Sequence, residues 1–253
     1  MSNRIPIALQ LYSVRDDCAG DLSLTLQAVA QMGYEGVEFA GYYDRTAEEL
    51  RGMCDDLGLK VAGTHTGINT LLGDELAKTV EFNKGLGNPY LIVPGLSAEY
   101  QGSQQAWRET AKLFNDIAEK IADQGMFTGY HNHTGEFTPM EDEVPWDIFG
   151  ENTRDDVVMQ IDIGHALRAG ADPVAYIERY PGRSKLVHLK EYSPTNDKAN
   201  VGEGEIPWEA VFHACETVGG TEWYIVEQES YAYPPLECAE RCIENLRKMG
   251  KIS

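Results

Sequence analysis

The sequence predicts an α/β protein, a (β/α)8 TIM barrel in which a closed parallel barrel is ringed by outer helices. Three observations lead there. The chain has 253 residues, close to the roughly 250 typical of one such barrel. Five times an amphipathic stretch runs into a glycine, and an apolar strand begins within a few residues, which is the alternation expected of parallel strands joined by helices. Several apolar, β-branched runs finish in His, Asp or Glu, as a site at the carboxyl end of barrel strands requires.

Taken in order, the first strand is expected near Ile7 to Leu11. A helix follows in which Leu22, Leu26 and Val29 share one stripe, with Asp21 or Ser23 as its cap. The next strands fall near Gly36 to Phe39, Lys60 to His65 and Tyr90 to Val93. Ser103 to Asp123 is the longest helical stretch, with Trp107, Ala111, Phe114, Ala118 and Ile121 spaced for one buried face. The remaining strands are expected at Met126 to His131, Val157 to Asp162, Lys185 to Lys190 and Trp223 to Glu227. The handovers at Gly33, Gly58, Gly87, Gly125 and Gly220 suit a left-handed helix cap, where the missing Cβ removes the steric penalty.

Composition bounds the function. Hydrophobic residues make up 42% of the chain, enough for a sizeable core, and residues 1–253 are expected to form a single domain without linker or low-complexity segment. A formal charge of −20 opposes binding to phosphate backbones, so neither nucleic acid nor an anionic membrane is an expected partner. The opening Met-Ser-Asn-Arg-Ile-Pro-Ile carries no long apolar region, and no span of about 20 apolar residues follows; a cytoplasmic location is expected. The five cysteines lack zinc-knuckle spacing, and Cys238 and Cys242, one helical turn apart, are expected to be reduced packing residues.

Period-two bookkeeping sharpens the chemistry, since alternate strand side chains face opposite ways. In the run from Val157, the apolar Val157, Met159, Ile161 and Ile163 oppose Val158, Gln160 and Asp162. Likewise Leu186, His188 and Lys190 share one face, as do Trp223, Ile225, Glu227 and Glu229. The second face of each run is expected to turn inward and become polar at its end. A buried carboxylate without a partner is costly, so Asp162, His188 and Glu227 are read as ligands of one divalent metal ion rather than as structural ion pairs. Either His131, by its strand-end position and parity, or Glu136, by its oxygen chemistry, would complete the sphere. His165 and Lys190 are expected to look into the same cavity. Glu38 and His65 end inward-facing strands and are weighed equally as substrate contacts and as wall or floor residues. His133 and Glu203 are further candidate substrate contacts, the latter in a Gly-Glu-Gly-Glu loop that suits closure over a neutral ligand and not a phosphate cradle. The loops from Thr134 to Pro145 and from Ser193 to Pro207 are candidate lids.

These residues resemble a known family, the xylose isomerase-like TIM barrels called sugar phosphate isomerase/epimerases, which include ketose 3-epimerases, inosose isomerases and dehydratases, and endonuclease IV nucleases. The resemblance spans nearly the whole chain. It is carried by Gly-Tyr-Glu-Gly-Val-Glu at 33–38, Tyr-His-Asn-His at 130–133, Gln-Ile-Asp-Ile-Gly-His at 160–165, Val-His-Leu-Lys-Glu at 187–191, Val-Gly-Glu-Gly-Glu at 201–205 and Tyr-Ile-Val-Glu at 224–227. It implies a metal held by Glu, Asp, His and Glu from four successive strands. Asp162, His188 and Glu227 match the last three, while His131 stands where the first Glu would be, leaving Glu136 as the candidate replacement.

The implied activity is that of a metal-dependent sugar isomerase or epimerase. One divalent ion (Mn, Mg, Co or Zn) would stabilise an enediolate of a keto-sugar or related polyol ketone. Glu227 or Glu136 would move the carbon proton, while Lys190 and His165 hold the oxygens. A dehydratase using the same metal site, and a catalytically silent sugar-binding barrel, are the alternatives. No basic phosphate clamp is present, so a small unphosphorylated sugar is the expected partner; assembly as a homo-oligomer is left open.

Overall fold

Short apolar runs become strands here because each finds a parallel neighbour on both sides, which satisfies a backbone that burial would otherwise leave unpaired. The computed structural model describes residues 4–252. Its strands are β1 (Ile7–Gln10), β2 (Gly36–Phe39), β3 (Lys60–His65), β4 (Tyr90–Val93), β5 (Phe127–His131), β6 (Val158–Asp162), β7 (Leu186–Leu189) and β8 (Trp223–Val226). They pair in sequence order, all parallel, and β8 returns to β1 to close the barrel. Helices α1 (Arg15–Met32), α2 (Ala47–Asp56), α3 (Glu75–Leu86), α4 (Ala98–Gln101) and α5 (Gln104–Ala122) surround the first half. The second half carries α6 (Pro145–Asn152), α7 (Ile163–Arg168), α8 (Pro173–Arg179), α9 (Trp208–Ala214) and α10 (Pro235–Lys248).

The five handover glycines all adopt the expected left-handed backbone, with φ between 66 and 100°. Asp21 is the cap: α1 is broken there by an extended residue, and its Oδ1 accepts the Leu24 amide at 3.0 Å. Ser103 caps α5, which buries the expected stripe. Strand ends are trimmed by a residue or so. Leu11 leaves β1 to open a 3-10 turn, because the Gln10 side chain accepts the Tyr12 amide. Lys190 and Glu227 lie just past β7 and β8.

Two apolar clusters result. A large outer one packs helices against the outward faces of the strands. A small inner one, Ala8, Ala62, Tyr90, Ile92, Val158, Leu186 and Ile225, fills the lower barrel. Above it the inward positions turn polar. Pairing between β2 and β3 slips there, with Val37 opposite Val61 but Glu38 opposite Gly63. A Cβ on Gly63 would lie 2.7 Å from Glu38 Oε1, so glycine makes room for a carboxyl group in the barrel interior. All five cysteines are buried and free; burial pushes the Cys18 and Cys54 thiols up to about 11, which suits packing rather than reactivity. Among the described residues no helix is long and apolar enough to cross a membrane.

Candidate metal centre and active site

Four side chains converge at the carboxyl ends of the last four strands. His131 ends β5, Asp162 ends β6, His188 projects from β7 and Glu227 follows β8. Each is an even number of residues from an inward-facing neighbour, so the pleat alone aims them at one point. All four are buried, and one candidate ligand atom from each lies within 4.8 Å of the rest.

Their polar atoms test whether a metal would fit. Asp162 Oδ2 and His131 Nδ1 are buried without a hydrogen-bond partner, a condition that costs roughly 1–3 kcal/mol per group unless something answers it. The other Asp162 oxygen accepts the His165 amide at 2.8 Å, which fixes the carboxylate. Burial, reinforced by the neighbouring His188 and His65, drives the His131 pKa well below the ordinary histidine value. The ring is therefore neutral, the form that coordinates metal. Two imidazoles and two carboxylates suit a divalent ion of borderline character. His65 lies close enough to His131 and His188 to share an ion with them, but its Nε2 is engaged by Gln160 Oε1 at 3.0 Å. The group of four is the better holder.

Beneath this group lies Glu38, wholly buried. Its Oε2 accepts from His188 Nε2 at 2.6 Å and Gln10 Nε2 at 2.7 Å, and its Oε1 accepts from Gln160 Nε2 at 2.7 Å. Burial opposes ionisation of Glu38, but the charges of His65 and His188 and these hydrogen bonds outweigh it and hold the carboxyl below its ordinary range. His188 is thus gripped on both sides, with Nδ1 3.1 Å from Glu227 Oε2. Burial alone would lower its pKa, yet Glu38 and Glu227 raise it to about 10.

Facing the group from the other side is Lys190, whose ammonium lies 3.2 Å from Glu227 Oε2, 3.6 Å from Asp162 Oδ2 and 3.1 Å from His165 Nε2. It also bonds Glu229. Burial disfavours its charge, but Glu227, Asp162 and Glu229 together raise its pKa, so it is an ammonium at neutral pH. Glu227 is the converse case. Burial opposes its charge, and Lys190 and His188 overcome that and hold it ionised. Hydrogen bonding to His165, with Lys190 adding to it, brings Glu229 down to about 2.

Above the group opens a cavity of about 410 Å3, with His131 and Glu227 at its base and Tyr12, His65, His133 and Glu229 among its walls. His65 and His133 thus line the cavity, and Lys190 and His165 stand beside the carboxylates. Of the two readings weighed equally for Glu38, the geometry fits the floor residue: it lies under the site with its oxygens engaged by His188, Gln10 and Gln160 and supports His188. Two other expectations place differently.

Glu136 is turned away by the 3-10 turn Gly135–Phe137. Its oxygens accept the Tyr130 hydroxyl and the His133 amide, each at 2.7 Å. Tyr130 packs among Trp107, Phe114 and Phe149 on the helix side of β5, so Glu136 belongs to that layer and is neither ligand nor base. Glu203 accepts from the Asn200 backbone and side chain, both at 3.0 Å, and shapes its own loop.

Nor are the two long loops free flaps. Buried Glu191 accepts the amides of Tyr192, Gly202 and Ile206 and the Trp208 indole, pinning the segment after β7. A Cβ on Gly204 would strike the Tyr192 carbonyl and Glu191 Oε1, so glycine at this position serves the packing. The segment after β5 is tied to α5 through Gln104 and Arg108. Glu229, whose inward parity with Glu227 the sequence shows but which was assigned no role, also lines the cavity. Tyr12 was missed; it lies in an irregular turn and carries no such signal.

A sequence profile of the xylose isomerase-like TIM barrel family matches residues 26–249. The chain belongs to the xylose isomerase-like TIM barrel family. Among relatives of this family, an inosose dehydratase of Clostridium botulinum is 23% identical, over 89% of this chain and 90% of its own. The crystal structure of a sugar phosphate isomerase/epimerase from Parabacteroides distasonis superposes with a TM-score of 0.84 at 22% identity, covering 99% of this chain and 96% of that one. An L-ribulose 3-epimerase superposes with a TM-score of 0.71 at 18% identity, covering 98% and 97%. At these identities the two solved structures speak for the xylose isomerase-like fold.

Proposed function

We propose that this family member is a metal-dependent dehydratase of a polyol ketone of the inosose type, acting by proton abstraction beside the carbonyl followed by loss of a β-hydroxyl. The observation that carries this reading is the asymmetry of the proton-transfer groups. Among the described residues, the carboxylates at the reacting centre are Asp162, fixed by the His165 amide, Glu229, bonded to Lys190, and Glu227, which is left as the base. Reversible inversion at one carbon calls for a second base on the opposite face, and His131 stands where that carboxylate would be. Elimination needs one base and one acid, and Lys190 supplies the acid 3.2 Å from Glu227. The curated inosose dehydratase, matching over about nine-tenths of both chains, supports the same choice.

A divalent ion held by His131, Asp162, His188 and Glu227 would supply Lewis acidity that makes the α-proton of the ketone more acidic; two imidazole donors favour Mn, Co or Zn over Mg. The chain's own groups do the rest. Glu227, ionised at neutral pH, accepts the proton from the carbon beside the carbonyl. The C–O bond to the β-hydroxyl then breaks, and the departing oxygen takes a proton from Lys190, so that one water leaves and an α,β-unsaturated ketone remains without any change of redox state. The two transfers help each other. Once Glu227 is neutralised, one of the charges that holds the proton on Lys190 is gone, and the ammonium becomes the stronger acid when an acid is needed. His165 and Glu229 position Lys190, and His65 and His133 line the space where substrate hydroxyls would lie.

The epimerase reading keeps one supporting feature, His133, which lines the cavity and whose pKa burial lowers, making it a neutral base candidate. Metal-loaded protein incubated with an inosose in deuterated water separates the two. Water loss with appearance of an unsaturated product, absent in Glu227→Gln and in Lys190→Met, is expected. Carbon-bound deuterium without any water loss would transfer the assignment to epimerisation, and no exchange at all would refute both.

A further inference from the structure

Beside the cavity over the metal-binding group is a second one of about 260 Å3, with His65 forming a wall of both. Tyr42 and Phe82, whose ring centroids are 4.3 Å apart, give it an aromatic side, and Thr70, Lys78 and Thr79 give it a polar edge. We propose that it receives a second, hydroxylated ring, so that the substrate is a glycoside of the polyol ketone, its sugar joined across the reacting ring from the carbons that lose the proton and the hydroxyl. This rests on the dehydratase reading for the reacting ring and adds the identity of what that ring carries.

The unspent polar groups of this second cavity decide the chemistry. The Thr70 hydroxyl gives its proton to Gly67 O at 2.8 Å and the Thr79 hydroxyl to Thr70 O at 2.7 Å, so both keep oxygen lone pairs free to accept. The Tyr42 hydroxyl accepts from Asn83 at 3.2 Å, with no acceptor for its own proton among the described residues. Lys78, 2.6 Å from Glu75, has further N–H bonds to donate. Acceptors and donors thus share one rim, and a neutral hydroxyl is the substituent that answers both. A carboxylate or phosphate only accepts and would meet the threonine lone pairs; a single exposed ammonium already paired with Glu75 makes no clamp for it. A purely apolar group would cover these atoms and give them no partner, which is unfavourable. A sugar ring carries hydroxyls at its edge and C–H faces that pack on aromatic rings, and the rim beside Tyr42 and Phe82 offers a place for each.

The placement also suits the elimination. In a closed barrel of eight strands paired in sequence order, β3 and β7 stand opposite each other; His65 ends β3 and Lys190 follows β7. The second cavity therefore opens on the wall across from the group that protonates the departing oxygen. A sugar leaving the reacting ring on that side occupies neither the carbon that gives its proton to Glu227 nor the carbon whose hydroxyl departs as water with the proton of Lys190. The glycosidic bond stays intact, and the atoms balance as they do for the free ketone. Size agrees as well. The first cavity alone sits near the lower end of the roughly 300–1,000 Å3 range of small-molecule sites, and the second extends it toward β3 only.

The test compares four probes on metal-loaded protein: an inosose, and the same inosose carrying an O-glucosyl, an O-methyl or an O-phosphate group across the ring from the departing hydroxyl. Two ordinary hydrogen bonds correspond to about tenfold, the preference in kcat/KM expected for the glucosyl over the methyl compound. Tyr42→Phe, which keeps the ring and removes the hydroxyl, and Thr70→Val, which removes an acceptor at an exposed position, should each lower that ratio about threefold. Phe82→Ala should lower it too, and Phe82→Leu, which keeps the packing, should restore part of it. A ratio near one in the native protein, a ratio indifferent to Tyr42→Phe and Thr70→Val, or a preference for the phosphate ester would overturn the proposal. If none of the four probes loses water, the dehydratase reading falls. Calorimetric binding of the glucosyl and methyl compounds to the native protein and the same variants then decides the subsite by the same ratios.

Discussion

Replacing Glu38 by Gln tests the support beneath the site without touching a candidate ligand. The carboxylate accepts from three donors at 2.6–2.7 Å, namely His188, Gln10 and Gln160. An amide has one oxygen, so whichever way it turns, its NH2 faces a donor and one or two of these bonds are lost. A buried bond to a charged group is worth about 1.5–3 kcal/mol, so the metal-free protein should lose about 2–4 kcal/mol. At about 2–3 °C per kcal/mol for a chain of this size, Tm should fall by roughly 5–10 °C. His188 would also lose the acceptor that fixes its Nε2–H and aims Nδ1 at Glu227, and such supporting contacts are worth about 10–100-fold in metal affinity.

The pH dependence has a definite sign. His188 is raised from 6.5 to about 10, so its share of the stability is complete below about pH 6.5 and disappears as pH rises through 10. Glu38 is held below its ordinary 4.5, so its share is present above that value and disappears as pH falls through the lowered one. In chelator, the native protein should therefore lose stability from pH 7 to 10, and Glu38→Gln should flatten that slope. Differential scanning fluorimetry across pH, with calorimetric Mn or Co titration, measures both effects. A variant with native Tm and native metal affinity would refute the reasoning.

Three further outcomes are expected. Metal binding at pH 7.5 should release about one proton, because His188 must lose the one it carries between Glu38 and Glu227; binding enthalpies that do not vary with buffer ionisation enthalpy would contradict this. Glu136→Gln should lower stability by about 1–2 kcal/mol through the Tyr130 and His133 contacts and leave metal affinity unchanged, whereas a loss of affinity seen by calorimetry would make it a ligand after all. Glu191→Ala should expose the segment 193–207 to limited proteolysis and cost about 2–4 kcal/mol, since three amides and an indole lose their common acceptor; a native digestion pattern would show that the segment is held by other means.

The parts of this molecule that obey a period were legible in its sequence. Strand and helix order follow from glycine handovers, and the convergence of Asp162, His188 and Glu227 follows from strand parity plus the cost of burying a charge. What escaped obeys no period. The inward parity of Glu38 was legible, but that three donors consume its oxygens was not, and no local signal distinguishes that from an accessible carboxylate. Glu136 is close to His131 along the chain, yet one 3-10 turn rotates it to the opposite side of β5. Glu203 looked mobile because glycines flank it, while Gly204 is there to clear Tyr192 and Glu191 and Gly202 lies against Met249. Side-chain direction is fixed by the pleat within a strand and by particular contacts beyond it.

The inner apolar plug formed by Ala8, Ala62, Tyr90, Ile92, Val158, Leu186 and Ile225 has a consequence for traffic. It fills the barrel below the metal-binding group, so on the dehydratase reading an ion and a ketone would both come and go through the cavity lined by Tyr12 and Glu229. Occupants must leave in the reverse of the order in which they arrived. A substrate seated over the ion then acts as a stopper, and a chelator added during turnover should strip metal more slowly than from the resting protein.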